Sequence, residues 1–389
     1  MGTSHAGRGA RSRVVVTDGE FKHTLGIVRS LADAGHEVHL LARSSRAPAV
    51  HSRAVHAWYP VAAGGAALEA RLLELAARLA PVAVIAVGSD AMAAADRLRA
   101  RWPAGAAIAL PSERAFAIAN RKDLTAETAR AAGVDTPRSR RVESADEARA
   151  ALAEWGPPLV LKSSREEGRK VLRYARGARE AAEGFAAVRA GSADAVLAQE
   201  YVRGDGFGFC ALYWQGRRVR HFMHRRVREW PPTGGASAAA ESVPHAPALE
   251  QAGTRLLDAL EWHGVAMVEF KGDMDGRLAL IEINAKFWGS HDIALAAGVD
   301  FPADLAALLD GRTLGQQPPV RRVRFTWPLG GDLWYGLARP ASLPQVLWEA
   351  ISPGVAHNGR VSDPLPHVYE LVQCIRSTPG AWREARALR

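Results

Sequence analysis

Short apolar runs alternate with amphipathic stretches over the first hundred residues of the chain. RVVVTD at 13–18, EVHLLAR at 37–43 and PVAVIAVGSD at 81–90 are rich in β-branched residues, which predicts buried strands. Between and after these runs, apolar residues recur every three or four positions, as in LEARLLELAARLA, which predicts amphipathic helices. Strands that alternate with helices predict a doubly wound parallel sheet, and we assign it to residues 1–111.

The pattern changes in the middle of the chain. SERAFAIANRKDLTAETARAAG predicts two helices, while PPLVLKSS at 157–164 and VLAQEYV at 196–202 predict strands. Residues 207–230 predict two more strands, joined by a turn at Gln215 and Gly216. We therefore expect an α+β middle with antiparallel pairing.

Two later segments are predicted from their composition. PPTGGASAAAES at 231–242 is rich in Pro, Gly and Ser, which predicts a mobile loop. The last eighty residues contain Trp327, Trp334, Trp348 and several prolines, which predicts a small, tightly packed C-terminal extension. This extension carries no recognisable catalytic signature.

Polar residues occupy every second position of LALIEINAKFWGS at 278–290. Glu282, Asn284 and Lys286 therefore share one face of a predicted strand. The same alternation is typical of a half-exposed strand with water on its polar side, so the pattern alone does not decide between the two. The preceding strand, GVAMVEFK, carries Glu269, and a short turn-forming segment between the two strands predicts an antiparallel hairpin.

The register of this hairpin determines whether its carboxylates meet. With Glu269 opposite Leu280, the side chains of Glu269, Glu282 and Asn284 project from one face, whereas a slip of one residue turns Glu269 to the back of the sheet. We expect the first register. Two carboxylates and an amide oxygen form a hard, oxygen-only site, which suits Mg²⁺ or Mn²⁺ and disfavours zinc and copper.

Charge and hydropathy narrow the classes of partner. The chain of 389 residues has a formal net charge of +9, which invites a nucleic-acid hypothesis. Its arginines are scattered over helix faces and its three RRVR motifs lack interleaved aromatic residues, so we expect no nucleic-acid partner. An anionic small molecule such as a nucleotide uses positive charge equally well. With neither a long apolar run nor a signal-peptide pattern, we expect a cytoplasmic protein without a membrane partner.

Cysteine and glycine patterns argue against a zinc or redox site and against a nicotinamide cofactor. Cys210 and Cys374 lack the spacing of a zinc or redox motif, so we interpret both as packed thiols. The first βα turn, TDGEFKHT, lacks G-x-G-x-x-G, so a nicotinamide cofactor is not indicated.

Residues 111–301 resemble the ATP-grasp ligases. VEF followed by IEIN supplies Glu269, Glu282 and Asn284 at the spacing with which that family holds two Mg²⁺ ions on the phosphates of ATP. The run from HRRVREWPPTGG to FWGS is most similar to the carbamoyl-phosphate-synthase-like subgroup, many of whose members are carboxylate–amine ligases of specialised metabolism.

The resemblance implies a combined α/β and α+β fold in four parts. Residues 1–111 would form a Rossmann-like domain with a parallel sheet, and residues 112–197 the N-terminal ATP-grasp subdomain, or lid. Residues 198–312 would form the C-terminal ATP-grasp subdomain with the metal site, and residues 313–389 the small C-terminal extension.

The resemblance also implies contacts with the phosphates of ATP. Lys122 in NRKDL and Lys162 in LVLKSS match two family lysines that are directed at the nucleotide phosphates. The segment at 231–242 would close over the phosphates, with Ser237 and the pair Gly234–Gly235 as contacts. A flexible surface connection is the alternative for this segment.

Adenine and ribose contacts are implied by QEYV at 199–202, which looks like the family's interdomain hinge. Main-chain groups near Glu200 and Val202 would pair with the adenine edge, and the side chain of Gln199 or Glu200 would reach the amino group. Many members place a glutamate shortly afterwards for the ribose hydroxyls, and here RGDGFG offers Asp205 instead.

Two family arginines are replaced in this chain. The arginine that often follows the metal-binding Asn by two residues is Lys286 here, and Met267 occupies another arginine position. We therefore assign Lys286 as the cation that meets the developing negative charge, with Arg226 as its helper. Strand parity separates Arg226 and Arg228 from Arg225 but not from each other, so Arg225 and Arg228 stay open as alternatives.

The activity implied by the resemblance is an ATP-dependent carboxylate–amine ligase in natural-product metabolism. It would form an amide or peptide bond through an acyl phosphate, with release of ADP and phosphate. The alternatives are a carboxylating or carbamoyl-type enzyme that uses bicarbonate and a noncatalytic nucleotide-binding protein.

The expected ligands follow from that chemistry. They are ATP, Mg²⁺ as two ions with Mn²⁺ as the alternative metal, and small-molecule carboxylate and amine substrates. Phe21, His23, Trp288 and His291 are candidates for the acceptor pocket, with core packing as the alternative for each aromatic ring. Base rates are compatible with a homodimer.

Overall fold

The structure, a computed structural model, describes residues 12–62, 64–165, 172–232 and 234–387, with side chains described as far as residue 377. The strands are β1 Arg13–Val16, β2 Glu37–Ala42, β3 Val55–Pro60, β4 Ala83–Ile85, β5 Ser139–Val142, β6 Leu159–Ser163, β7 Leu172–Ala175, β8 Val196–Glu200, β9 Asp205–Trp214, β10 Arg217–Trp230, β11 Ala236–Ser242, β12 Gly264–Gly272, β13 Leu278–Asn284, β14 Arg324–Thr326 and β15 Val355–His357. The α-helices are α1 Thr24–Asp33, α2 Gly65–Leu79, α3 Ser89–Arg97, α4 Glu113–Ala119, α5 Lys122–Ala131, α6 Ala145–Trp155, α7 Ala178–Gly191, α8 Pro247–Ala259, α9 Asp292–Ala297, α10 Phe301–Leu309, α11 Leu333–Ala338, α12 Leu343–Ile351 and α13 Leu365–Ala387.

The N-terminal sheet is parallel, with the strand order β3, β2, β1, β4. Three of its strands, β1, β2 and β4, correspond to the predicted apolar runs, so the prediction of a parallel sheet is confirmed. The sequence does not predict β3, because VHAWYP has half-buried positions and ends on a proline, which weakens the apolar pattern.

The second sheet is antiparallel, with the order β5, β8, β6, β7. PPLVLKSS and VLAQEYV form β6 and β8, as predicted. Helices α6 and α7 supply buried residues to the core of this sheet, among them Leu152 and Val188, which cluster with Leu161.

The third sheet is the largest, with the order β13, β12, β9, β10, β11, β14, β15. Its neighbouring strands are antiparallel except for β14 and β15, which pair in parallel. The predicted turn at Gln215 and Gly216 joins β9 to β10, and both residues have positive φ angles of 51° and 77°. The prediction of an α+β middle with antiparallel pairing is confirmed.

The prediction of a mobile loop at 231–242 is wrong for most of that segment. Residues from Ala236 onward form β11, which pairs with both β10 and β14. Ala238, Ala239 and Ala240 are fully buried, because their small side chains allow close packing on both faces of the sheet. A composition rich in Ala and Ser is therefore ambiguous between loop and buried strand. Thr233 lies outside the described residues.

The C-terminal residues complete the large sheet. Phe325 of β14 pairs with Ala240 of β11, and β15 pairs with β14 in turn. The expectation of tight packing does not hold throughout this region, since Trp348 and Ile351 on α12 are 65% and 78% exposed. The predicted domain boundaries stay predictions.

The hydrophobic core joins the N-terminal sheet to the large sheet. One cluster contains Val15 of β1 together with Phe209 of β9, and a second contains Val14 of β1 together with Leu212 of β9, so each spans both sheets. Within the described part of the chain, no helix is long and apolar enough to cross a membrane.

Candidate active site

The hairpin of β12 and β13 brings two carboxylates face to face. Glu269 pairs directly with Glu282, and Phe270 pairs with Leu280, so the predicted pairing of Glu269 with Leu280 is wrong. The shift arises from an irregularity after Glu269, where Ile281 is the extra residue on β13. Because residues that oppose each other share a face, Glu269 and Glu282 still project to the same side of the sheet.

Asn284 and three cationic side chains complete this cluster. The amide nitrogen Nδ2 of Asn284 donates a hydrogen bond of 3.0 Å to Oε1 of Glu269. Lys286 donates from Nζ to Oδ1 of Asn284 at 3.1 Å. Nζ of Lys122 lies 3.3 Å from Oε2 of Glu282, and Nη2 of Arg226 lies 2.7 Å from Oε1 of Glu269. The alternating polar residues Glu282, Asn284 and Lys286 therefore belong to a charged cluster.

The three cations come from three different parts of the chain. Lys122 is the first residue of α5, Arg226 lies on β10, and Lys286 follows β13. Burial opposes the charge on Arg226, but the carboxylates of Glu269 and Glu229 outweigh it and raise the pKa of the guanidinium. Arg226 therefore stays charged throughout the pH range in which a protein is folded.

The two arginines that strand parity leaves equivalent, Arg226 and Arg228, point in opposite directions. Arg226 pairs with Ala240 of β11, whereas Arg228 pairs with the adjacent Ala239, because β10 contains a bulge between them. Arg226 contacts Glu269, while Arg228 donates two hydrogen bonds to Asp332 in the C-terminal region at 2.6 and 2.7 Å.

Arg225 points elsewhere again and is half-exposed. It forms ion pairs with Glu241 at 2.6 Å and with Asp205 at 3.0 Å. Of the three arginines in the motif, Arg226 is the one that contacts the carboxylate cluster.

The two lysines that match the phosphate-binding positions lie at the ends of neighbouring elements. The backbone N–H of Lys122 donates to the carbonyl of Ser164 at 2.8 Å, which ties the start of α5 to the segment just after β6. Lys162 is buried on β6, where it lies between Leu172 of β7 and Leu197 of β8. Their roles toward a nucleotide stay predictions.

The predicted hinge residues lie where β8 ends. Gln199 is buried between β5 and β6, and Val202 is buried just beyond the strand. The backbone N–H of Glu200 donates to the carbonyl of Arg138. Burial opposes ionisation of Glu200, but hydrogen bonds from Arg138 and the charge of Arg277 lower its pKa below the usual range.

The ion pairs around the hinge determine which of its side chains are available for adenine and ribose. The carboxylate of Glu200 is held by Arg138 and Arg277 at 3.1 Å each, so the side chain of Gln199 is the better candidate for the adenine amino group. The carboxylate of Asp205 is exposed and paired with Arg225, so a ribose contact would require that ion pair to open.

The carboxylate cluster fits a hard divalent cation. Glu269, Glu282 and Asn284 present oxygen atoms and no sulfur or nitrogen ligand, which suits Mg²⁺. Within the described ranges, no group of three or more His, Cys, Asp and Glu side chains could hold a metal. A cation here would therefore take its remaining ligands from water and from phosphate oxygens.

A second polar group, which the sequence did not predict, lies between the N-terminal turn and the C-terminal region. Lys22 donates from Nζ to the carbonyl of Ser237 at 2.6 Å and lies 4.4 Å from the centroid of the Trp327 ring. Trp327 in turn donates from Nε1 to Oδ2 of Asp292 at 2.8 Å. Ser237 is thus engaged through its backbone by a lysine, and its contact with a phosphate stays a prediction.

Burial perturbs the ionisation of this second group. It lowers the pKa of Lys22 to about 8, against the opposing charge of Asp292. It also raises the pKa of Asp292 to about 7, although the Trp327 hydrogen bond and the charge of Lys22 oppose it. Lys22 lies in TDGEFKHT, which matches no motif for a binding site. The one hint in the sequence is that lysine is rare in this chain, with six lysines against 44 arginines.

The four candidates for the acceptor pocket differ in burial. Trp288 and His291 are buried in an aromatic cluster with Phe301, which supports core packing. Phe21 is 43% exposed and stacks on His23, with ring centroids 5.6 Å apart. Phe21 and His23 flank Lys22 in the turn between β1 and α1.

Comparison with family models identifies one match. Residues 192–327 match the family described as "ATP-grasp in the biosynthetic pathway with Ter operon". The matched range contains the hinge, Arg226 and the whole carboxylate cluster. A comparison with curated protein sequences finds no significant match.

Solved structures with similar folds extend the likeness to the N-terminal sheet. An ADP complex of N5-carboxyaminoimidazole ribonucleotide synthetase has a TM-score of 0.67 and 14% identity, over 87% of this chain and 86% of that chain. The biotin carboxylase domain of the Hydrogenobacter thermophilus 2-oxoglutarate carboxylase, in complex with MgADP, ADP and bicarbonate, has a TM-score of 0.66 and 18% identity, over 81% and 73%. At these identities the likeness establishes the fold.

Proposed function

We propose, from the premise that the chain is an ATP-grasp protein, that it is an ATP-dependent ligase that joins a carboxylate to an amine. The observation that carries this proposal is the meeting of Glu269, Glu282 and Asn284 with cations from α5, β10 and the segment after β13. Oxygen ligands beside separate cations suit the phosphates of a nucleotide and a divalent metal ion.

Glu269, Glu282 and Asn284 would hold Mg²⁺, as one or two ions. When bound, Mg²⁺ neutralises negative charge on the phosphate oxygens of ATP. Support comes from the oxygen-only donor set and from the similar biotin carboxylase domain, which was crystallised with MgADP. Mn²⁺ is compatible with the same ligands.

The nucleotide is proposed to lie between the hinge and the carboxylate cluster. Lys122 and Lys162 would bind its phosphates, and the ends of β6 and α5 bring these two lysines to neighbouring positions. Gln199, together with the main chain of Glu200 and Val202, would bind adenine. The carbonyl of Glu200 is proposed for this contact, because its N–H is already bonded to Arg138.

The proposed reaction has two steps. A carboxylate oxygen of the first substrate attacks the γ-phosphorus of ATP, the bond to the β-phosphate oxygen breaks, and ADP leaves. The amine nitrogen then attacks the acyl carbon of the acyl phosphate, phosphate leaves, and the nitrogen loses a proton. Lys286 and Arg226 are the proposed catalytic residues, since each preorganised cation stabilises the developing charge by about 2 to 4 kcal/mol.

A bicarbonate-dependent reaction is the second candidate. It is favoured by the similar biotin carboxylase domain in complex with bicarbonate and by the similar synthetase structures. We prefer the carboxylate–amine ligase because the run from HRRVREWPPTGG to FWGS resembles a subgroup with many such ligases, and the matching family, described as part of a biosynthetic pathway, supports a biosynthetic role.

The test incubates the full chain with ATP, Mg²⁺ and pools of short carboxylic acids and amino acids, with bicarbonate as a separate arm. We expect release of ADP and phosphate that requires both a carboxylate and an amine. Glu282→Ala should abolish this release, whereas Glu183→Ala, at an exposed position on α7, should leave it unchanged. Release of AMP and pyrophosphate would contradict the acyl-phosphate reaction, and dependence on bicarbonate would favour the second candidate.

A further inference from the structure

Lys22 is a cation without a carboxylate partner. It lies in the turn between β1 and α1, and its ammonium contacts the carbonyl of Ser237 and the ring of Trp327. Neither contact supplies a full negative charge, and no carboxylate in the described part of the chain forms an ion pair with this side chain. Carboxylates such as Asp292 act on Lys22 only at distances beyond an ion pair, so an anion that reached the ammonium would be bound favourably.

The polar atoms near Lys22 include donors that have no acceptor. Nε1 of Trp288 and Nε of Arg226 are buried donors without hydrogen-bond partners, and Nε2 of His23 and the acceptor Oδ1 of Asp292 are buried and unpartnered as well. Burial and the charges of His291, Lys22 and Lys286 together lower the pKa of His23, so these groups lie within electrostatic reach of one another. A ligand rich in acceptor atoms would satisfy such donors.

Gly289, in the segment after the carboxylate cluster, lies beside Lys22. A Cβ atom added to Gly289 would lie 4.0 Å from Cε of Lys22 and would meet no other atom at that distance among the described residues. Gly289 belongs to the segment that follows Asn284 and Lys286. Lys22 is half-buried, so part of its surface is accessible to solvent.

We propose that Lys22 binds a carboxylate group of a substrate other than the carboxylate that is phosphorylated. This inference rests on the proposed ligase function and names the substrate class: one of the two substrates carries an additional carboxylate. The group belongs either to the acid, which is then a dicarboxylic acid, or to the amine, which is then an amino acid.

A singly charged carboxylate suits this position better than a phosphate group. Lys22 offers one compact ammonium, the unpartnered ring nitrogens of Trp288 and His23 beside it are neutral, and the charge of Arg226 is already paired with Glu269. The carboxyl of Asp292, whose charge raises the pKa of Lys22, lies close enough to reduce the net positive charge. A phosphate dianion commonly requires several cations or a bidentate guanidinium.

The test uses NMR of the full chain labelled with ¹³C at the ε-carbon of lysine. The chain has six lysines, and the resonance of Lys22 is assigned from its loss in Lys22→Arg. We add pooled dicarboxylic acids, pooled amino acids, and the methyl esters of each pool. One acid pool should raise the apparent pKa of Lys22 by about one unit or more, because a bound anion favours the ammonium form. The methyl esters should leave this pKa unchanged, because they carry no carboxylate.

Lys271, which lies over the Tyr201 ring, is the internal control and should not respond. A Lys22 resonance that responds to no pool, or equally to acids and esters, would overturn the inference. The pool that responds identifies whether the extra carboxylate belongs to the acid or to the amine.

Two variants connect this site to turnover. Lys22→Met should raise the KM of the substrate with the extra carboxylate about tenfold and leave the KM of ATP unchanged, whereas Lys22→Arg should retain part of the affinity. Normal ADP release with an unresponsive Lys22 would reject the inference and leave the ligase proposal intact. A Lys22 resonance that responds, without any ADP release, would support the carboxylate site and reject the ligase proposal.

Discussion

Individual residues in one short motif have separate tasks. Arg225, Arg226 and Arg228 follow one another within HRRVRE, yet each contacts a different set of carboxylates. Ordinary strand alternation separates Arg225 from Arg226, and the bulge in β10 after Arg226 separates Arg226 from Arg228. Neighbouring arginines in a sequence are therefore not interchangeable candidates for one site.

Arg228→Met should destabilise the protein strongly. Arg228 is buried and bonds Asp332 and Glu349, so its removal leaves the buried Asp332 without its ion-pair partner and Glu349 with Arg324 alone. We expect the free energy of unfolding in urea to fall by about 3 to 5 kcal/mol. Arg225→Met removes two partly exposed ion pairs, with Glu241 and Asp205, and should cost about 1 kcal/mol or less. Equal losses in the two variants would contradict this assignment.

Asp292 should make stability depend on pH. Its pKa is about 7 in the folded chain against a normal value of 3.8, because burial disfavours the ionised form. The folded state thus binds the proton more tightly than the unfolded state. The stabilisation is complete below about pH 4 and is lost as the pH rises to about 7.

Asp292→Asn removes that dependence, because an amide does not ionise in this range. The stability of the variant relative to the wild type should therefore increase between about pH 4 and pH 7, by up to about 4 kcal/mol. Urea unfolding over a series of pH values measures this difference. A difference that is constant with pH would show that Asp292 does not titrate in this window.

At the scale of elements, the hairpin of β12 and β13 determines the geometry of the site. Gly272 ends β12 with a φ of 147°, and a Cβ atom there would lie 1.8 Å from the carbonyl oxygen of Arg277. A side chain at this position would force the hairpin apart. The pairing of Glu269 with Glu282 therefore depends on a glycine three residues beyond Glu269.

Gly272→Ala should weaken binding of MgATP and lower stability by more than about 1 kcal/mol, since both the backbone angle and the space are unfavourable. Gly276→Ala in the same turn is the matched control. A Cβ there would meet Cβ of Asp273 at an ordinary 3.6 Å, so we expect little change. Calorimetric titration with MgATP measures the affinity, and similar behaviour of the two variants would contradict the role of Gly272.

Most elements around the site can be predicted from the sequence, but their exact pairing cannot. Apolar periodicity predicts β6, β8, β12 and β13, because each has a strong pattern bounded by turns. The irregularities after Glu269 and Arg226 leave no such pattern, since a bulge depends on tertiary pairing. β11 was missed for a related reason, because its buried alanines suit a strand only between two partners.

At the scale of the whole molecule, the C-terminal residues pack against the strands and side chains around the site. β14 pairs with β11, Asp332 and Glu349 bind Arg228, and Trp327 packs against Lys22. Asp363 also forms an ion pair with Arg29 of α1 at 2.9 Å. These contacts depend on long-range folding, which explains why the sequence predicted an extension without a role.

Removal of residues 313–389 should therefore prevent stable folding. It uncovers β11 and leaves Arg228 buried without its partners. A matched truncation after Pro364 keeps β14, β15 and the pair of Arg29 with Asp363, and it should retain a cooperative thermal transition. A soluble, cooperatively folded chain without residues 313–389 would contradict this view.

The central proposal is that the chain activates a carboxylate by transfer of phosphate from ATP. Incubation with ATP, Mg²⁺, the amine pool and carboxylic acids labelled with ¹⁸O tests it most directly, with mass spectrometry of the released phosphate and nucleotides. We expect one ¹⁸O atom in the released phosphate, because the carboxylate oxygen that attacks the γ-phosphorus leaves with it. Label in AMP, or phosphate that is released without label, would contradict the proposal.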